Sequence, residues 1–220
     1  KMEQVSETEQ LIFDIAQMEW ELFQNVQNTG GRASCQNDSD TFFKMRMSQW
    51  MVYSKETLES YMEDLRSSIE QGRNLIFEKY GFMMETTYPE EFEGIKEHLP
   101  KVSPETEKRI YEMADIHVKW DKEVYEKYPH IRENGRVFRS SEDSVQNGSS
   151  SESYLKGEYK TYSRETVELI YKQVKQAVDA GENLLEKIIE NEVRFYGYQS
   201  LKMRKRSRAK RNRENTKWKI

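Results

Sequence analysis

Two stretches of the chain carry apolar residues at the three- and four-residue spacing of an amphipathic helix. The first covers residues 8–28 and the second covers residues 105–128, where Ser103-Pro104-Glu105 supplies a cap and a first-turn proline. We therefore predict two long helices, each with one face turned to a core. The apolar positions are Leu11, Ile15, Met18, Leu22 and Val26, and then Ile110, Met113, His117, Trp120, Val124 and Tyr128.

Residues 53–80 and 162–189 align without a gap at a separation of 109 residues. Eight positions are identical, and the apolar positions elsewhere match in kind. Matching apolar positions at helical spacing indicate an internal duplication. The two apolar series are Leu58, Tyr61, Met62, Leu65 and Ile69, and Val167, Ile170, Tyr171, Val174 and Val178.

Each of these two copies has a start signal and a stop signal for its first helix. Ser54 and Ser163 stand at the N-cap position, and a glutamate follows in the first turn. Gly72 and Gly181 follow the last apolar position, where a residue with positive φ ends a helix at little cost. Since another apolar series begins after each glycine, each copy predicts a helical hairpin.

A polar loop precedes each hairpin and contains a Gly-Arg pair, Gly31-Arg32 in the first half and Gly135-Arg136 in the second. No alternating strand pattern runs for more than a few residues, so we predict an all-α fold. Its plan is helix, Gly-Arg loop, short helix and helical hairpin, repeated twice. The predicted boundaries are about 8–98 for repeat one, about 103–201 for repeat two, 1–201 for the single helical domain and 202–220 for a basic tail.

The composition is that of a folded domain rather than of a disordered or membrane-spanning chain. Charged residues make up 34% and aromatic residues 12%, and no run of about 18 apolar residues predicts a membrane span. The first residues lack the apolar stretch of a secretory signal, so none is expected. The single cysteine, Cys35, excludes an internal disulfide and favours a cytoplasmic setting.

The charge is divided unevenly along the chain. Residues 202–220 hold ten basic residues and one acidic residue, a net charge of +9, which leaves −13 for residues 1–201. The basic cluster Lys202–Lys219 can attract phosphates and so makes nucleic-acid association one alternative function. A solvated helix end is the other interpretation, and the single aromatic residue Trp218 gives base stacking little support.

The motifs that identify common catalytic and metal sites are missing from the sequence. It contains no Gly-rich phosphate loop, no H-E-x-x-H, no C-x-x-C and no E-x-x-H. One cysteine and three histidines do not suffice for a standard structural zinc site. The 39 acidic residues are typical of a solvated surface, so we predict no metal site.

The two Gly-Arg loops are the most specific candidates for a binding site. Arg32 and Arg136 each offer a planar guanidinium to a carboxylate or a phosphate, and in a pseudo-two-fold fold both could face one cleft. The alternative is that each arginine pairs with an acid such as Asp38 or Asp143 and fixes its loop. Cys35 could act as a nucleophile, but no histidine is near it in sequence, and we expect a small buried side chain.

Further polar side chains stand beside bulky apolar ones in Arg46-Met47-Ser48-Gln49-Trp50 and Glu78-Lys79-Tyr80. They fit either a buried polar network that lines a pocket or ordinary contacts between helices. His117 lies on the apolar stripe of its helix, where we expect a buried histidine with a hydrogen-bond partner. His98 and His130 lie near prolines in loops and are expected to be exposed.

The chain contains the segments WELFQNVQNTGGRASCQND, RMSQW, EQGRNLIFEKYGFMMETTYPEE, KYPHIRENGR, RSSED, SYLKGEYKTYS and NEVRFYGYQSL. In these segments it resembles the bacterial protein family of unknown function DUF4125, over roughly residues 8–201. The resemblance implies one intact domain that ends before the basic tail. It implies no particular activity, substrate or cofactor.

The positions that are characteristic of that family fall here on mostly polar residues, which suggests a ligand site, although polar networks also fix helix packing. These candidate site residues are Arg32, Cys35, Gln36, Arg46, Gln49, Arg73, Asn74, Glu78, Lys79, Tyr80, Arg136, Asp143, Tyr154, Glu158, Asn183 and Tyr196.

We therefore predict a helical protein that binds a small polar or anionic ligand in a cleft between the duplicated halves, with catalysis left open. One alternative is an interaction or scaffold protein without catalysis, for example a homodimer, which binds through its aromatic and Met-rich faces. The other alternative is nucleic-acid association through Lys202–Lys219.

Overall fold

Ten α-helices form the fold in the part of the chain that the computed structural model describes, residues 5–27, 31–132 and 135–201. No strand occurs within these ranges, so the predicted all-α class is confirmed. The predicted basic tail lies outside the described residues. The helices are α1 (Glu7–Gln24), α2 (Ser39–Trp50), α3 (Lys55–Glu70), α4 (Leu75–Thr87), α5 (Pro89–Ile95), α6 (Pro104–Lys127), α7 (Pro129–Arg132), α8 (Ser151–Tyr159), α9 (Arg164–Asp179) and α10 (Leu184–Phe195).

The predicted start and stop signals of both hairpins are confirmed. The Ser54 hydroxyl accepts from the backbone of the first turn of α3, and the Ser163 hydroxyl does the same for α9, each at 3.2 Å. Gly72 and Gly181 have φ of 70° and 67°, the left-handed conformation in which glycine ends a helix without strain.

Helices α3 and α9 also hold each other's first turns. The backbone N–H of Ser163 donates to Asp64 Oδ2 on α3 at 2.9 Å, and that of Ser54 donates to Gln173 Oε1 on α9 at 3.0 Å. Asp64 and Gln173 are themselves 109 residues apart, so the contact is reciprocal. This reciprocity is what a pseudo-two-fold arrangement requires, while the duplication itself stays an interpretation of the sequence.

The second helix of each hairpin is tied to one of the long helices by the side chain of its asparagine cap. Asn74 Nδ2 donates to Leu22 O on α1 at 2.8 Å, and Asn183 Nδ2 donates to Trp120 O on α6 at 3.1 Å. These two bonds fix which residues of α1 correspond to which residues of α6.

The core lies where α1, α3, α6 and α9 meet, and aromatic side chains cross its centre. Trp50 stacks on Tyr61 with ring centres 4.2 Å apart, and Tyr61 packs against Tyr162 at 4.7 Å. Ile69 and Val178, which were predicted to face the core, are 46% and 41% exposed. The apolar residues one turn earlier, Leu65 and Val174, are fully buried, so the apolar stripe of each helix leaves the core at its last position.

None of the helices within the described ranges is both long enough and apolar enough to cross a bilayer.

Candidate functional site

Four charged side chains meet in the interior between α1, α2, α4 and α8. Arg46 on α2 makes a bidentate pair with Glu19 on α1, with Nε–Oε2 and Nη2–Oε1 distances of 2.8 and 2.5 Å. The same guanidinium lies 3.0 Å from Glu158 Oε1 on α8, and the other oxygen of Glu158 accepts from Lys79 Nζ on α4 at 2.7 Å. No member of this buried quartet (Glu19, Arg46, Lys79 and Glu158) is more than 6% exposed. Its two positive and two negative charges cancel, which offsets the cost of burying them.

Neutral side chains complete the hydrogen bonding of both buried carboxylates. Tyr162 OH donates to Glu158 Oε1 at 2.6 Å, and Gln49 Nε2 donates to the same oxygen at 3.0 Å. Tyr61 OH donates to Glu19 Oε1 at 2.8 Å. Because each carboxylate accepts bonds on both oxygens, neither is left buried without partners.

Glu158 and Lys79 keep their charges near neutral pH. Burial alone would raise the pKa of Glu158, but Arg46 and Lys79 outweigh burial and hold that pKa well below its usual range. Burial alone would lower the pKa of Lys79, but attraction to Glu158 outweighs that effect and the pKa is raised. Glu158 and Lys79 therefore exchange no proton near pH 7 and are suited to positioning other groups rather than to acid–base catalysis.

The second half holds a neutral histidine where the first half holds a buried glutamate. In the register that the two asparagine caps set, His117 on α6 corresponds to Glu19 on α1. Trp50 Nε1 donates to Glu19 Oε1 at 3.3 Å, and Tyr159 OH lies 3.3 Å from His117 Nε2. Burial lowers the pKa of His117 to about 4, so the imidazole is uncharged at pH 7. The prediction of a buried, hydrogen-bonded histidine is confirmed.

The first Gly-Arg loop is fixed by amide and carbonyl groups. Arg32 donates from Nε to Asn37 Oδ1 at 2.8 Å and from Nη2 to Gln36 O at 2.7 Å. The side chain of Gln36 is buried and donates to Phe23 O at 2.8 Å. Asp38 was the expected acidic partner of Arg32 in the alternative that a charge pair fixes the loop. Its carboxylate instead accepts a hydrogen bond from the backbone N–H of Thr41, in the first turn of α2. Arg32 therefore stabilises its loop through amide and carbonyl oxygens, and it pairs with no acid among the described residues.

The second Gly-Arg loop is held largely by its own acid. Asp143 accepts from the backbone of Ser150 at 2.7 Å and from Ser153 Oγ at 2.5 Å. Arg136 Nη1 donates to Ser149 O at 3.0 Å. These bonds bring the loop against the beginning of α8.

The two loops approach each other at Tyr80 on α4. Cys35 from the first loop and Arg136 from the second both act electrostatically on the Tyr80 hydroxyl, whose pKa is raised mainly by burial. Tyr154 on α8 lies beside them, with the Arg136 guanidinium 4.7 Å from its ring centre and Lys79 Nζ 3.7 Å from it. We call Cys35, Tyr80, Arg136 and Tyr154 the Tyr80 rim.

The rim presents polar groups whose hydrogen-bonding capacity is unused within the described part of the chain. The hydroxyls of Tyr80 and Tyr154 form no hydrogen bond with described residues. Cys35 is exposed, so the expectation of a buried side chain is wrong. The cause is the single 3₁₀ turn Ser34–Asn37, which directs Gln36 inward and leaves its neighbour Cys35 at the surface.

The remaining predicted site residues lie apart from both the quartet and the rim. Arg73 makes a two-bond fork with Glu78, with both N–O distances 2.8 Å. Asn74 caps α4 and Asn183 caps α10. Lys44 Nζ lies over the ring of Tyr196, 4.4 Å from its centre. Each of these contacts joins neighbouring parts of the fold.

Glu19 is the member of the quartet that the sequence interpretation missed. It lies four residues after Ile15 and three before Leu22, which are both on the apolar stripe of α1, so it shares their face. A lone acid on an apolar helix face predicts a buried partner of opposite charge, and this signal was present in the sequence.

Within the described ranges, no three His, Cys, Asp or Glu side chains come together as metal ligands. His98 is exposed as predicted, whereas His130 is half-buried.

Comparison with known proteins adds a family but no activity. The family described as "Protein of unknown function (DUF4125)" matches residues 9–205. No curated protein matches the chain significantly, and neither does any solved structure.

Proposed function

The chain belongs to the DUF4125 family, and from the geometry above we propose that it binds a small polar or anionic molecule at the Tyr80 rim. The observation that carries this proposal is the approach of the exposed Arg136 guanidinium and of Lys79 Nζ to one ring, that of Tyr154, at 4.7 and 3.7 Å from its centre. Cys35 and Arg136 are about 100 residues apart in sequence, yet both act on the Tyr80 hydroxyl.

The chemistry of the rim favours a polar ligand with acceptor groups. Two phenol hydroxyls that form no hydrogen bond with described residues and one guanidinium give donors on several sides of a small molecule. Arg136 is exposed, and its planar fork suits a carboxylate or a phosphate. A few convergent polar groups on a rigid support are typical of ligand sites.

The buried quartet supplies the rigid support. Lys79 is fixed by Glu158 at 2.7 Å, and its ammonium group lies against the Tyr154 ring. The ring is in turn contacted by Arg136, so a continuous line of contacts runs from the buried ion pairs to the exposed guanidinium. Side chains that are locked in this way lose little entropy when a ligand binds.

Native mass spectrometry of the full 220-residue chain tests the proposal first. We expect extra mass that is released on denaturation, and we expect Tyr80→Phe and Arg136→Gln to lose it while they keep a cooperative fold. Tyr88→Phe and Arg164→Gln are matched controls, since they remove the same groups from exposed residues elsewhere. These controls should retain the mass.

A second measurement uses defined probes: inorganic phosphate, sulfate and malonate in a thermal-shift series. Stabilisation of the wild type by at least one probe, reduced in both rim variants, supports the rim as an anion site. A chain that retains nothing and responds to no probe would overturn the proposal. A retained mass that is unaffected by both rim variants would place the ligand elsewhere.

A further inference from the structure

A second concave surface lies away from the quartet and the rim, between the end of α2 and the helices α9 and α10. This α10 groove has a volume of about 650 Å³. Val52, Ala177 and Leu184 form its apolar part, and Gln176, Glu190 and Arg194 are among the polar residues that line it.

The helix contact beside the groove differs at one position from the contact that the 109-residue alignment relates to it. Helix α8 approaches α4 through Gly157, where an added Cβ would lie 3.0 Å from Lys79 O and 3.0 Å from Met83 Cγ. The corresponding residue of α2, 109 positions earlier, is the buried Ser48. Asn191 on α10, which lines the groove, donates from Nδ2 to Ser48 O at 3.3 Å. The contact between α2 and α10 therefore contains a Cβ and a hydroxyl where the contact between α4 and α8 contains a glycine.

The polar lining of the groove contains one acid and one base that do not pair with each other. Glu190 and Arg194 are one helical turn apart on α10, a spacing that often allows an ion pair. Neither side chain forms an ion pair or a hydrogen bond with the described residues. At the edge of the same groove, Lys187 does form such a pair with Glu182, at 2.6 Å. Glu190 and Arg194 are thus both available to a ligand.

We propose that the α10 groove binds a small zwitterion with an apolar side chain, either a free amino acid or a dipeptide. The carboxylate of the ligand pairs with Arg194, its ammonium group pairs with Glu190, and its side chain lies on the apolar part that Val52, Ala177 and Leu184 form. Glu190 is half-buried, so a cationic partner offsets part of the free-energy cost of removing its carboxylate from water. The groove lies on residues that the rim does not use, and the inference is independent of the proposed function.

Isothermal titration of the full chain with four probes tests the zwitterion requirement. L-leucine and leucyl-leucine carry both charges, N-acetyl-L-leucine lacks the ammonium group, and L-leucinamide lacks the carboxylate. We expect at least one of the two zwitterions to bind, and each one-ended analogue to bind about tenfold more weakly than leucine. Preference for leucine identifies a free amino acid, and preference for leucyl-leucine identifies a dipeptide.

Two variants assign the ends of the ligand. Arg194→Gln should make leucine and leucinamide bind alike, and Glu190→Gln should make leucine and N-acetyl-leucine bind alike. Arg164→Gln is the matched control outside the groove and should bind as the wild type does. The rim variant Tyr80→Phe should also leave leucine affinity unchanged, which separates this inference from the proposed function.

The inference is overturned if neither zwitterion binds the wild type at millimolar concentration. It is also overturned if all four probes bind with equal affinity, or if both groove variants keep the wild-type preferences.

Discussion

His117 provides a quantitative test of the buried core, because its imidazole is kept neutral by burial. Its pKa falls from 6.5 in the unfolded chain to about 4 in the fold. Between these values the unfolded chain binds a proton that the folded chain does not, so stability decreases as the pH falls from 6.5 towards 4. The full difference corresponds to about 3 kcal/mol of unfolding free energy, and about 2 kcal/mol of it falls between pH 7 and pH 5.

The assay is urea unfolding at pH 7, 6 and 5, followed by tryptophan fluorescence. Between pH 7 and pH 5, the unfolding free energy of the wild type should fall by about 2 kcal/mol more than that of His117→Gln, because glutamine does not titrate. His98→Gln is the control, since His98 is exposed, and it should follow the wild type. The comparison of slopes is unaffected by any constant loss of stability in the variant.

Restricting the range to pH 5 and above keeps most carboxylates out of the measurement. The usual pKa of Glu158 is 4.5 and its pKa in the fold is lower, so its contribution is present above pH 4.5 and is lost only as the pH falls further. A direct NMR titration of the imidazole gives the second readout. Parallel pH dependence in the wild type and His117→Gln, or titration of His117 near 6.5, would refute the reasoning.

Three further changes test the packing around the site. Glu158→Gln removes one of the two negative charges that neutralise the buried Arg46 and Lys79, so we expect a loss of about 3–5 kcal/mol of unfolding free energy in chemical denaturation. A loss below about 1 kcal/mol would contradict the assigned pairing. Gly157→Ala should lower the unfolding free energy by about 1 kcal/mol, because the added Cβ would lie 3.0 Å from Lys79 O. Gly94 has open space around it, so Gly94→Ala should raise the unfolding free energy by about 0.5–1 kcal/mol. Equal effects of the two substitutions would count against close packing of α4 on α8. Asn183→Ala removes a helix cap and a bond to α6, so a loss of about 1–2 kcal/mol is expected in thermal unfolding, and no loss would show that the cap does not hold α10.

The helices could be predicted because their signals are local. Ser54 and Ser163 cap helices with groups a few residues away, and Gly72 and Gly181 end them through their own backbone conformation. Such signals depend on no distant contact, so the sequence contains all that is needed to read them. Ile69 was misplaced for the opposite reason, since its exposure depends on how far the neighbouring helices extend.

The site was only partly predictable because its geometry depends on residues far apart in the chain. The family resemblance included Arg46, Lys79 and Glu158, but their pairing joins positions 112 and 79 residues apart. Glu19 carried a local signal, and it was overlooked because the positions around it match a simple amphipathic pattern. The exposure of Cys35 follows from a single 3₁₀ turn, which periodicity does not reveal.

The difference between the two halves gives the strongest reason to place function beside the quartet. If the halves correspond as the 109-residue alignment and the asparagine caps indicate, no member of the quartet has a charged counterpart at neutral pH. Three members of the quartet, Glu19, Arg46 and Lys79, lie in the first half and correspond to uncharged positions of the second, whereas Glu158 lies in the second half and corresponds to an uncharged position of the first. Buried ion pairs contribute little net stability compared with apolar packing, so a quartet that the corresponding positions do not repeat is best explained by what it positions, which is the Tyr154 ring that Lys79 contacts. The counterparts of Glu19, Arg46, Lys79 and Glu158 are His117, Leu155, Ile188 and Gln49.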